Sequence, residues 1–190
     1  MNNKKVLVAG ATGYLGQYLV KELKNRGFWV RVLVRKETQR GLFDSVDEFY
    51  LGEVTRPESI KGIAKGMDWV ISTIGITRQK DGLKYMDVDY QGNSNLLHEA
   101  LQENVKAFQY ISAINGDALR HLKIFEAKEK FVDELKTSGI RYCVLRPNGF
   151  FSDMRDFLNM AKAGRVYLFG DGEFKLNPIH GEDLARVCID

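Results

Sequence analysis

The chain has 190 residues, 44% of them hydrophobic, which is enough for one domain with a substantial core and short for two. Its 28 basic and 25 acidic residues leave a formal charge of +3, spread without the dense basic run that a nucleic-acid partner requires. No stretch approaches the roughly 20 apolar residues of a membrane span, and the apolar run after MNNKK is too short for a signal peptide, so a soluble cytoplasmic protein is expected.

In chain order, VLVA (6–9) predicts a first strand and YLGQYLVKELKNRG (14–27) a helix. WVRVLV (29–34) and FYL (49–51) predict the second and third strands, and PESIKGIAKG (57–66) a helix before the fourth strand, WVIST (69–73). YQGNSNLLHEALQEN (90–104) then reads as a helix and AFQYIS (107–112) as the fifth strand. HLKIFEAKEKFVDEL (121–135) has Leu122, Phe125, Phe131, Val132 and Leu135 at near-helical spacing, with charges filling most of the rest. YCVLRP (142–147) is the sixth strand. Beyond Pro147 come a helix (150–164), a short strand RVYLFG (165–170), a Gly-rich turn DGE and a last helix, HGEDLARVCID. The chain stops inside that helix, which leads us to expect a truncated domain.

Strands alternating with helices imply right-handed β-α-β crossovers. The strands are nearly continuous apolar runs, as in sheets covered on both faces. The expected fold is α/β: a doubly wound parallel sheet with strand order 3-2-1-4-5-6. We expect residues 1–146 to form a dinucleotide-binding core and 147–190 to begin a small substrate lobe.

The nucleotide expectation rests on GATGYLG, where Gly10, Gly13 and Gly16 follow a strand and open a helix. Gly10 permits a tight turn, Gly13 a close approach of backbone to pyrophosphate, and Gly16 close packing of helix on sheet. Thr12, Tyr14 and Leu15 of the same loop join the expected cofactor site, because a helix amino terminus offers free N–H groups to phosphate. At the end of the second strand stand Arg35 and Lys36, with Arg40 nearby, where an acid would bond the ribose of NAD. A guanidinium forks onto a 2′-phosphate, so NADP(H) is preferred and NAD(H) comes second. Glu53 and Val54 fall where an adenine edge would lie, and Thr73, Ile74 and Gly75 end the fourth strand at the switch point.

GATGYLG, VLVR, STIG, VDYQGNSNLL, YISA and VLRPNGFF occur in the order that resembles the short-chain dehydrogenase/reductase superfamily, in its atypical, NmrA-like branch. In catalytic members a serine ends the fifth strand and Tyr-x-x-x-Lys follows on the next helix. The resemblance places Ser112 as that serine and Lys128 as that lysine, while Ile124 stands in the tyrosine position. None of the eight tyrosines has a lysine four residues on. Asn148, Gly149 and Phe150 follow the sixth strand, where their backbone groups are expected to border the nicotinamide.

Three readings of Lys128 stay open: a desolvated acid or base titrating near neutrality, a ribose ligand, or a surface residue of the charged run EAKEK. An apolar Ile124 favours the first, since it would leave the amine less solvated and lower its pKa. Ser112 either polarises a carbonyl or satisfies a loop backbone. Met154, Phe157, Met160 and Phe169 are candidates for a substrate pocket or for plain core, and Asp183 beside His180 reads as a helix-start acid. Cys143 and Cys188 lack metal-site spacing and read as buried thiols, so no metal is expected. Two functions follow: an NADP(H)-dependent reductase or isomerase acting on a small carbonyl or conjugated substrate, or a non-catalytic redox sensor or assembly factor with a regulated protein partner.

Overall fold

The computed structural model describes residues 4–76, 82–167, 170, 171, 173 and 175–190. Six strands, β1 (Lys5–Ala9), β2 (Trp29–Val34), β3 (Glu48–Leu51), β4 (Trp69–Ser72), β5 (Ala107–Ile111) and β6 (Arg141–Leu145), form one sheet in the order β3-β2-β1-β4-β5-β6. Every neighbouring pair is parallel, with Val8 opposite Val32 on one side and Ile71 on the other. The order reverses between β1 and β4, and the carboxyl ends of those two strands open the crevice that holds the site.

Period-two alternation sorts the strand residues between two cores. Leu7, Ala9, Val70 and Phe108 face α2 (Asn93–Gln102) and α3 (Lys123–Thr137), burying Leu96, Leu97, Phe131 and Leu135. Val6, Val8, Val30 and Ile71 face α1 (Tyr14–Asn25) and α5 (Gly181–Ile189), burying Leu15, Leu19, Leu23 and Leu184. This is the doubly wound sheet that the alternation predicts.

Three local expectations are corrected. Residues 57–66 form a 3₁₀ turn, Pro57–Ile60, and then irregular turns; Gly62 and Gly66 at φ +78° and +72° take the chain out of helical geometry. RVYLFG gives no strand over residues 165–167, and Leu168 and Phe169 lie outside the described residues. β6 is an edge strand with Arg141, Tyr142 and Cys143 exposed, so it is not covered on both faces and Cys143 is not a buried thiol. Cys188 is buried, and burial pushes its pKa up to about 12. The helix α4 (Met154–Lys162) buries none of its residues.

Candidate functional site

β1 ends at Ala9, and Gly10 turns the chain at φ +79°. A Cβ there would lie 2.5 Å from Thr73 Oγ1, so the loop tolerates only glycine. The Gly13 amide donates to Gly10 O at 3.0 Å and α1 begins at Tyr14. A Cβ on Gly16 would lie 2.2 Å from Gly10 O, which fixes how closely the helix seats on its own loop. No side chain caps α1 and no acid occupies its first turn. The positive end of its dipole therefore opens on the crevice, a fitting cradle for pyrophosphate.

That crevice is a cavity of about 720 Å³. Gly10, Thr12, Gly13, Tyr14 and Leu15 form one wall, and Arg35, Glu53 and Val54 the far end. Arg35 Nη1 lies 3.7 Å from Glu53 Oε1, so a carboxylate shares the place where a 2′-phosphate would reach the guanidinium. Lys36 is not in the cavity wall; its amide donates to Gln39 Oε1 at 3.0 Å and starts the 3₁₀ turn Glu37–Leu42. Gly149 also lies outside the wall, its carbonyl accepting from the Ile179 amide at 2.9 Å, whereas Asn148 and Phe150 line it.

Thr73, Ile74 and Gly75 form the floor, at the switch point. The Thr73 amide donates to Ala9 O at 2.9 Å and its hydroxyl to Gly10 O at 3.1 Å, tying floor to glycine loop. Below lies a buried polar relay: the Ser72 hydroxyl donates to Asn93 Oδ1 at 2.5 Å, and Asn93 Nδ2 to Asp89 O at 2.8 Å.

Lys128 and Ile124 line the same cavity, one helical turn apart on α3. The Lys128 side chain is only 12% exposed, and its Nζ lies 2.8 Å from Oδ1 of the fully buried Asp89 and 3.5 Å from the Tyr110 hydroxyl. It is therefore not a surface residue of the EAKEK run. Burial alone would pull its pKa down; the Tyr110 oxygen and the Asp89 carboxylate outweigh burial and hold it above the ordinary lysine value. The expectation of a lowered pKa is thus corrected, because an acid that the sequence did not pair with it faces the amine. Burial pushes Tyr110 itself up to about 12, against the opposing pull of Lys128.

Ser112 is in the wall, but its hydroxyl donates to Glu129 Oε1 at 2.9 Å. Glu129, fully buried in the middle of the charged run, accepts both Arg146 guanidinium arms, Nη2 to Oε2 at 2.6 Å. The bidentate pair explains how α3 buries a carboxylate on its sheet-facing side. Met154, Phe157 and Met160 are not in the cavity wall, and Phe169 lies outside the described residues. The last helix is capped by His180, whose Nδ1 accepts from the Glu182 amide at 3.3 Å; Asp183 pairs with Arg186 at 3.4 Å.

Sequence reasoning missed Asp89, Tyr110, Glu129 and Arg146. A signal for Asp89 existed: 89, 93, 96, 97 and 100 make one helical stripe, all buried, with an acid at its start. Among the described residues no helix is long and apolar enough to cross a membrane and no cluster has a metal-binding set of side chains.

A family model described as NAD(P)H-binding matches residues 10–190. Divinyl chlorophyllide a 8-vinyl-reductase of Arabidopsis thaliana is 30% identical over 97% of this chain and 49% of its own length. The photosystem II assembly factor Ycf39 of Trieres chinensis is 31% identical over 97% of this chain and 58% of its own. The chain thus spans about half the length of these curated relatives. Among solved structures, the Bordetella bronchiseptica enzyme WbmH in complex with NAD+ superposes with a TM-score of 0.78 at 19% identity, over 99% of this chain and 72% of that one. The quinone oxidoreductase QOR2 of Escherichia coli with NADPH gives 0.66 at 22% identity, over 83% of this chain and 53% of that one. Both show the fold alone.

Proposed function

Because the chain belongs to the NAD(P)H-binding family, we propose that it binds a nicotinamide dinucleotide along the crevice and serves as a reductase of a small carbonyl or conjugated substrate. The observation that carries this is one cavity joining an uncapped glycine-loop helix to a buried, charged lysine. In this reading the α1 amides hold pyrophosphate, Arg35 takes a 2′-phosphate and so favours NADP(H) over NAD(H), and Lys128 meets the nicotinamide ribose. The bound cofactor would supply hydride. Beyond Lys128 the wall mixes apolar Ile124, Ile76, Ala113, Pro147 and Phe150 with polar Ser112, Asn148, Ser152 and Asp153, which suits a small substrate with an apolar body and a polar group. Lys128 stays charged, so its contribution is electrostatic, a fixed cation near developing negative charge. In this reading Lys128 gives up no proton.

A second reading is favoured by two particulars: Ile124 in the tyrosine position, and a Ser112 hydrogen already given to Glu129. It is a non-catalytic nucleotide-binding module acting on a protein partner, as the name of the Ycf39 relative suggests for that protein. We propose a cytoplasmic location for this chain, whereas the Arabidopsis relative is named as chloroplastic.

Calorimetric titration with NADPH and NADH, followed by NADPH oxidation across a panel of carbonyls and conjugated alkenes, separates these readings. Binding with turnover supports the reductase, binding without turnover supports the module, and binding of neither nucleotide overturns both. Arg35→Ala should weaken NADPH more than NADH by about 1–3 kcal/mol. Equal losses would show that Arg35, already facing Glu53, does not read the 2′-phosphate.

A further inference from the structure

Asp89 comes from a π-helical turn, Met86–Gly92, that runs directly into α2. Such turns are rare and concentrate at functional sites. The side chain is fully buried, and its two oxygens divide their work. Oδ2 accepts the Ile76 amide at 3.0 Å, and Oδ1 faces Lys128 Nζ at 2.8 Å. Asn93, one turn on, donates to the Asp89 carbonyl and accepts from Ser72, so the π turn is latched to the end of β4. A Cβ on Gly75 would stand 2.8 Å from both Asp89 Oδ1 and Lys128 Nζ. The ion pair therefore rests against bare backbone in the cavity floor, and a side chain at position 75 would have to push the pair aside.

The groups facing the ammonium are Asp89 from the π turn and Tyr110 from β5, whose ring centroid lies 5.6 Å away. Glu129, the next residue on α3, is turned to Arg146 and Ser112. A lone ammonium this deep would give up its proton readily, because burial disfavours the charged form. An adjacent carboxylate reverses that preference, since the attraction of opposite charges is least screened away from water.

We propose that Asp89 is a positioning residue: it pins the Lys128 ammonium beneath Gly75 and keeps it a permanent cation, which offers its remaining hydrogens to ribose hydroxyls and takes no part in proton transfer. The ribose clause rests on the nicotinamide reading above. The charge clause does not, because it concerns only two side chains of this protein.

The test uses ¹³Cε-lysine-labelled wild type and Asp89→Asn, with Lys128→Met to assign the resonance. Lys128 in the wild type should show no titration below its ordinary value of 10.5. In Asp89→Asn its midpoint should fall roughly 2 units or more below that ordinary value, the scale that burial imposes on lysine. NADPH affinity, measured by calorimetry above the titration of the 2′-phosphate, should stay level in the wild type. In the variant it should drop about tenfold between about pH 7 and about pH 9.5, because the ammonium is lost there. A wild-type lysine titrating near neutrality overturns the proposal, and it does so even if the variant fails to fold. A variant that loses affinity by one factor at every pH also overturns it, because Asp89 then merely holds the loop. If the wild type binds no NADPH, the nucleotide reading and the ribose clause fall together, and the two lysine titrations still decide the charge clause.

Discussion

Gly10 and Asp89 show two ways in which one residue governs the crevice. At Gly10 the demand is steric: φ is +79° and Thr73 stands where a side chain would go. Gly10→Ala should therefore both destabilise the fold and open the loop. We expect a loss of more than about 1 kcal/mol in chemical denaturation, since alanine is strained at positive φ, and at least a tenfold weaker NADPH affinity. An alanine variant with wild-type binding would show that the loop does not cradle the nucleotide. At Asp89 the demand is electrostatic. Lys128→Met leaves a buried carboxylate without its cation, a change that costs about 3–5 kcal/mol in buried pairs. Asp89→Asn with Lys128→Met together should cost less than the two single changes summed, which denaturation of the double variant checks.

Among the elements, those with buried stripes carry the fold and those without do not. α2 presents Leu96, Leu97 and Ala100 to the sheet, whereas α4 presents nothing to it. Leu96→Ala should therefore cost about 2–5 kcal/mol, because a fully buried leucine leaves a cavity. Phe157→Ser on α4 should shift stability by less than about 0.5 kcal/mol, as exposed positions do. A large loss at Phe157 in the thermal midpoint would mean that α4 packs against something in solution. The π turn is the element whose type the sequence hid. Its residues continue the helical stripe of α2, so the spacing reads as ordinary helix, and the extra residue per turn shows only in the folded chain, where Asp89 bonds the Ile76 amide and Asn93 the Ser72 hydroxyl.

For the whole molecule, the two-sided sheet makes its response to pH legible. Lys128 in the folded protein titrates above the unfolded lysine value of 10.5, so its contribution is complete below that value and is lost as pH rises through the folded one. Tyr110, raised by burial from 10.0 to about 12, works in the same direction, because the unfolded chain ionises first. Stability should thus fall steeply above about pH 10. At the acid end, the Arg120 hydrogen bond holds Asp133 below its ordinary carboxyl value, so that contribution is present above 3.8 and lost as pH falls through the folded value. Thermal melts from acid to alkaline pH check both limbs; a melting temperature that rises above pH 10 would contradict the charged, buried Lys128.

By itself the sequence determined the alternation of strands and helices, the strand order and the glycine loop, because period-two and helical spacing, with glycines at a strand-to-helix turn, are local properties of the chain. It also brought Arg35, Thr73 and Ser112 to one crevice, since each follows directly on the end of a strand, while Lys128 came to it only through the family resemblance. Tertiary structure alone decided what those side chains are. Lys128 and Glu129 stand in one charged run, yet the first faces Asp89 from 39 residues earlier (128 − 89) and the second faces Arg146 across the edge of β6. A charge run shows how many charges a helix carries. Which of them are buried, and whether each keeps its proton, depends on partners that only the folded sheet brings within 3 Å.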